Sequence, residues 1–180
     1  ALARWLAPVC SFTAEEIWQA MPQAPGASAR DTVMLATWYD GLVTMDEATR
    51  ARLDRVRAVR EVVGPKLEAL RRDKVIGSSL AAEVRLDADG ALAEDLDAIG
   101  DELRFLLLTA DVHRSSVDEA DETAVIDGST LRVAVRPSES AKCVRCWHHR
   151  PDIGTDAAHP ELCGRCVENI AGDGETRRWG

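Results

Sequence analysis

The sequence predicts an α+β protein in three parts: a helical N-terminal piece, a small α+β junction unit with a β-hairpin, and a C-terminal four-cysteine module. Three observations predict it. From Asp46 to Asp73 apolar residues recur at helical spacing, with Leu53, Val56, Val59, Val63, Leu67 and Leu70 on one face. Between residues 83 and 135 short apolar runs alternate with turn signals. Four of the five cysteines then fall into two Cys-x-x-Cys pairs near the C-terminus.

Taken in order, residues 2–9 are a short apolar run closed by Pro8. Thr13-x-x-Glu16 reads as a capping box before Ile17 and Trp18, with Phe12 and Ile17 as a staple and a helix over about 14–21. Residues 22–32, rich in Pro, Gly, Ala and Ser, read as a linker, and Val33–Tyr39 as extended chain. Within the Asp46–Asp73 helix, Gly64-Pro65 predicts a kink or a restart. A strand is expected near Glu83–Leu86, a turn over 87–90, a helix over about 91–103 and a strand near Arg104–Thr109. Ala124–Val135 reads as a hairpin around Asp127-Gly128, the pair that a type I′ turn demands. The resulting domains are 1–40, 41–138 and 139–180.

The 180 residues suffice for one medium domain or two small ones, and 46% hydrophobic composition supports a packed core. A net charge of -9 excludes a surface coated uniformly for nucleic acid, but the charge is uneven. Residues 87–127 carry thirteen acidic groups against two basic, and residues 46–74 nine basic against six acidic. The last forty-five residues carry seven of each sign. Polyanion contact would therefore involve the ends, with the acidic middle a solvated face. No stretch of eighteen apolar residues predicts a membrane span. The chain has no initiator Met or signal core and begins within the apolar pattern ALARWLAPV, as a piece of something longer would.

Cys143-x-x-Cys146, sixteen residues, then Cys163-x-x-Cys166 is a zinc spacing. A two-residue spacer lets one backbone turn aim both thiolates at a point, and two such turns complete a tetrahedron with Zn–S distances of about 2.3 Å. Four protein ligands leave no open position, so one structural Zn2+ is expected. Two disulfides, four free thiols, or His148, His149 or His159 in place of one cysteine are the alternatives. An unpaired Cys10 and no secretion signal argue for a reducing, cytoplasmic setting, where disulfides are rare. Around the cysteines stand Lys142, Arg145, Trp147, His148, His149, Arg150, Arg165, Arg177, Arg178 and Trp179. Cations interleaved with indoles suit phosphates and unstacked bases. Equally, Trp147 could pack beneath the metal and the arginines could be a solvated face.

KCVRCWHH followed by ELCGRCVENIAGDGETRRW resembles the C-terminal zinc peptide of bacterial isoleucyl-tRNA synthetases. APVCSFTAEEIW is similar to the last part of the class I anticodon-binding bundle, and DKVIGSSLAAEVRL with ELRFLLLTADV to the segment joining bundle and zinc peptide. The resemblance implies a parent enzyme that activates isoleucine with ATP and esterifies it to its tRNA. The HIGH and KMSKS signatures of that chemistry are absent from these residues, so no catalytic residue is expected here, and ATP would belong to a catalytic domain elsewhere. It implies a monomer whose partners are the isoleucine tRNA and the rest of the same chain, with no membrane. The tRNA-contact candidates are Arg145, Trp147, His148, Arg165, Arg177, Arg178 and Trp179. Two other readings stand beside it. A DNA glycosylase of the formamidopyrimidine type ends in a similar finger, but its catalytic N-terminal proline and helix–two-turn–helix are not visible. A zinc-ribbon protein-interaction module would suit the acidic middle.

Overall fold

The computed structural model describes residues 1–22, 31–118 and 120–179; most of the expected 22–32 linker lies outside them. The described chain forms two compact units, residues 1–45 and 46–180.

The first unit holds two helices, α1 (Leu2–Leu6) and α2 (Ser11–Ala20), and a 3-10 turn at Val33–Leu35. Ala3, Ala7, Ala14 and Val33 are buried, and Leu6 and Trp18 pack against the last three. The expected capping box does not form. α2 begins at Ser11 after Cys10, without a side-chain cap, so Thr13 already lies inside the helix. Ser11 Oγ instead donates to the Ala7 carbonyl at 3.0 Å. Phe12 is 87% exposed, so there is no staple. Glu15, not Glu16, makes the polar closure, accepting from Thr32 Oγ1 and the Val33 N–H at 2.8 Å each. Val33–Leu35 is a turn rather than extended chain because Thr32 caps it, accepting from the Met34 N–H.

The second unit is a four-stranded sheet with helices on one face. α3 (Glu47–Arg72) starts at Asp46, whose carboxylate accepts from the Thr49 N–H at 2.9 Å. It ends with Arg71 and Arg72, cations at the negative end of the helix dipole. The helix does not restart: α3 runs on through Pro65. Gly64 has no Cβ to strike the proline ring, so the residue before proline stays helical. Val59, Val63 and Leu67, all buried, hold both halves against the sheet.

Strand β1 (Ala82–Ala88) leads into α4 (Gly90–Ile99), a 3-10 turn at Gly100–Glu102 and α5 (Leu103–Leu107). The strand expected near Arg104–Thr109 is therefore helix, and the next strand is β2 (Asp111–Arg114). The leucine run has no β-branched residue, and Leu103 and Leu107, four apart, are both buried, which is a helical face. β3 (Glu122–Ile126) and β4 (Ser129–Pro137) form the expected hairpin, with Asp127 and Gly128 at φ 50° and 80°.

The sheet order is β2-β1-β4-β3, with β1 parallel to β2 and the other pairs antiparallel. In the β1–β4 register, Val84 faces Val135 and Leu86 faces Val133, towards the helices. The alternate positions pair Glu83 with Arg136 and Asp87 with Arg132.

Three carboxylates of the acidic middle, Asp95, Glu122 and Asp127, are counter-charges of α3, while Asp89, Glu94, Asp97, Asp101, Asp118 and Asp121 are exposed as a solvated face would be. Asp95, 5% exposed, accepts from Arg52 Nε at 2.9 Å and Arg55 Nε at 2.6 Å. Lys66 reaches Glu122 at 2.7 Å. Burial alone would raise the Asp95 carboxyl, but the bonds from Arg55 and Arg52 outweigh it and hold the group below its ordinary value. A depressed carboxyl contributes stability that is complete above its unfolded value and is lost as pH falls through its folded one. Asp95→Ala should therefore cost about 2–3 kcal/mol at neutral pH, read by urea denaturation. Variant and wild-type midpoints should converge as pH falls below about 4.

Candidate metal centre and nucleic-acid interface

The two Cys-x-x-Cys turns meet. The Sγ atoms of Cys143, Cys146, Cys163 and Cys166 all lie within 4.8 Å of one another, the only such metal-ready group among the described residues. Cys146 and Cys163 Sγ are 3.6 Å apart, close to the tetrahedron edge that Zn–S bonds of about 2.3 Å require. Cys143, Cys163 and Cys166 are buried and Cys146 is half-buried. The donor set fits zinc. The histidine alternatives do not meet it: Nδ1 of His148 faces the Cys146 carbonyl, Nδ1 of His149 the Ser140 carbonyl, and His159 is not in the cluster.

Each turn has a local cause. In the first, the Trp147 N–H donates to the Cys143 carbonyl and the Cys143 N–H to the His148 carbonyl. Trp147 takes φ 67°, a left-handed conformation uncommon for a bulky residue, which reverses the chain directly after Cys146. The second turn opens α6 (Gly164–Ala171), with Cys166 in its first turn. Gly164 permits a close approach there: its N–H donates to Asp152 Oδ2, and a Cβ, 2.9 Å from that oxygen, would push the Asp152 side chain aside. Burial would raise the Cys143 thiol, but N–H groups of Cys146, Cys163 and Arg145 outweigh it and bring it down to about 6. Burial pushes the Cys163 thiol up to about 12. A dication is what turns such unequal thiols into a uniform set of thiolates.

The module is clamped onto the sheet. The His149 N–H donates to the Leu80 carbonyl at 3.1 Å, and Arg150 pairs with Asp111 at 2.7 Å. Phe105, in the run read as a strand, is a platform instead. His148 meets it edge-on at 5.9 Å, and the guanidiniums of Arg104, Arg165 and Arg177 stand 4.6, 5.2 and 3.9 Å from its centre. No sequence signal separates such an aromatic from a core residue.

The seven contact candidates have different situations. Trp147 is 61% exposed, so it does not pack beneath the metal, and Lys142 Nζ sits 4.9 Å over its ring. Arg145 Nη1 turns back to Cys166 Sγ at 3.7 Å. Arg165 and Arg177 share the Glu175 carboxylate at 2.8 and 2.6 Å. His148 is half-buried, and burial holds its imidazole below the ordinary value. The tail is tied down rather than loose: Glu102 accepts the N–H groups of Arg178 and Trp179 at 2.9 and 2.6 Å. Trp179 packs on the main core under Arg52, and Arg178 remains exposed.

Residues 1–86 match the family model for the anticodon-binding domain of tRNA ligase. Residues 141–169 match that for the zinc finger found in FPG and IleRS. The chain is 53% identical to an isoleucine–tRNA ligase of Halorhodospira halophila, over 98% of this chain and 19% of the relative. Ligases of the same name from Alkalilimnicola ehrlichii and Thioalkalivibrio sulfidiphilus are 49% and 50% identical, over 99% of this chain and 19% of each relative. The chain belongs to the isoleucine–tRNA ligase family. It spans about a fifth of the length of these relatives. The finger is shared with glycosylases, but the anticodon-binding match over 1–86 is not, and the glycosylase reading falls. In this isoleucine–tRNA ligase segment the finger is a zinc site. Chelation should melt residues 139–179 while β1 and β4 keep their hydrogen-exchange protection. Cys143→Ser and Cys166→Ser should lose the metal, measured by native mass spectrometry, and the exposed Cys10→Ser should retain it.

Proposed function

We propose that this chain is the tRNA-gripping part of a ligase that joins isoleucine to its tRNA at the expense of ATP. Residues 1–40 end the anticodon-binding helices, 41–138 form the junction, and 139–180 carry one structural zinc ion held by Cys143, Cys146, Cys163 and Cys166. The protein acts as a cytoplasmic monomer, with catalysis and ATP handling outside these residues. The observation that carries this reading is Trp147: a solvent-facing indole, beside Lys142, on a turn that the metal rigidifies. Such a ring loses little freedom when a base stacks on it.

Arg178 is the second element, an exposed cation on an anchored backbone. Arg145, His148 and Arg165 support the surface from behind; they face sulfur, Phe105 and Glu175. Arg177 is half-spent on Glu175, and Trp179 holds the tail in place.

Trp147→Ala should weaken binding to the isoleucine tRNA by about 1–3 kcal/mol with an unaltered salt slope and unchanged zinc content. Arg178→Ala should flatten the slope by about one phosphate's worth, and Arg177→Ala by less. Loss of zinc with Trp147→Ala, at unchanged tRNA affinity per folded molecule, would make the residue a structural one.

A further inference from the structure

A cleft of about 350 Å³ opens between α3, the loop at 77–79 and the end of α5. Its walls carry Arg60 and Arg71; its floor passes Gly64, where the helix surface is bare. Arg60 has no ion pair or hydrogen bond to another described residue, and Arg71 holds only Glu68 of its own helix, at 2.8 Å. On the loop side, the N–H groups of Gly77, Ser78 and Ser79 donate to no described residue. Ser78 Oγ is engaged by the Leu80 N–H, while Ser79 Oγ is unengaged.

Gly77 has a further peculiarity. Its φ lies outside the left-handed region, and a Cβ built on it would meet nothing within 4 Å. The fold itself does not require glycine here. A ligand that approaches the backbone closely would.

Two guanidiniums lining one cleft with three residues whose N–H groups are unpartnered, and with the Ser79 hydroxyl, supply the donors that a tetrahedral oxyanion takes. We propose that this cleft takes a phosphodiester of the RNA strand, as a second grip distinct from the zinc module. This rests on the RNA-binding reading above. Arg72, 3.7 Å from Asp73, and Lys74 lie along the adjoining rim, so a strand leaving the cleft passes further cations. Glu68 is the resident competitor, holding Arg71 until a phosphate replaces it.

The test titrates the zinc-loaded protein with tRNA, with a short oligouridylate and with inorganic phosphate, following backbone amide resonances and affinity against salt. Oligouridylate should move the amides of Gly77, Ser78 and Ser79. Arg60→Ala and Arg71→Ala should each flatten the log–log salt slope by about 0.7. Gly77→Gln, which fills the cleft mouth without strain, should lower affinity about tenfold at an unchanged or raised melting temperature. Glu68→Gln should raise affinity by up to about fivefold, a gain that no folding defect mimics. If Gly77→Gln and Glu68→Gln leave affinity and slope unchanged, the cleft is not a strand site. If inorganic phosphate moves the same amides as tightly as oligouridylate, the site serves free anions and the RNA assignment fails. Amide shifts with oligouridylate in a protein that ignores tRNA would support the cleft while sinking the tRNA function. tRNA binding that is sensitive to Trp147→Ala but not to Arg60→Ala would do the reverse.

Discussion

Four sulfurs within 4.8 Å of one another are the constraint on which the functional end of this chain rests. As thiolates they repel; as thiols they leave a buried polar knot with poor donors. A zinc ion resolves the conflict only in part, since four thiolates and one dication leave a net charge of -2. The surrounding arginines answer that residue of charge. Arg145 points at Cys166, and Arg165 is held charged against burial by Cys146 and Glu175. A cation read from sequence as an RNA contact is thus, in the first instance, part of the electrostatic casing of the metal. What the casing leaves free is what can meet a partner: Trp147, Lys142 and Arg178.

The same logic runs through the sheet. The acidic stretch between 87 and 127 is in large part turned to solvent, but Asp95, Glu122, Asp127 and Asp111 also pair with Arg52, Arg55, Lys66 and Arg150. Acidic residues on one segment neutralise basic residues on another, so the net charge of -9 says little about any particular surface. Arg60, with no such partner, keeps its charge for solvent or ligand.

How far the residues disclosed the structure depended on how local the cause was. Cysteine spacing, the Asp127-Gly128 turn and the long period of α3 are local, and each read true. The metal's surroundings were less legible because Phe105, Glu102 and Glu175 act through partners distant in sequence. Leucine runs are ambiguous between helix and strand, and α5 fell on the wrong side. The Thr13-x-x-Glu16 pattern was a true motif in the wrong frame, because α2 had already begun two residues earlier. The restart expected at Pro65 failed for the opposite reason: the rule against interior proline is local, while buried Val63 and Leu67 pack α3 on distant residues.

The order β2-β1-β4-β3 has a consequence for how this chain is made. β1 is a central strand, and its antiparallel neighbour β4 begins at Ser129, well after β1 ends at Ala88. At about 5–20 residues per second, synthesis leaves that edge uncovered for about 2–8 s. During this interval α4, α5 and β2 join α3 around Val84 and Leu86, but the β4 side of β1 remains an open row of backbone donors and acceptors. The charged alternation of β1, with Glu83, Arg85 and Asp87 between its apolar residues, gives the waiting strand a guarded face. The cysteine turns are made after all four strands, so metal capture comes after every partner in the sheet is available.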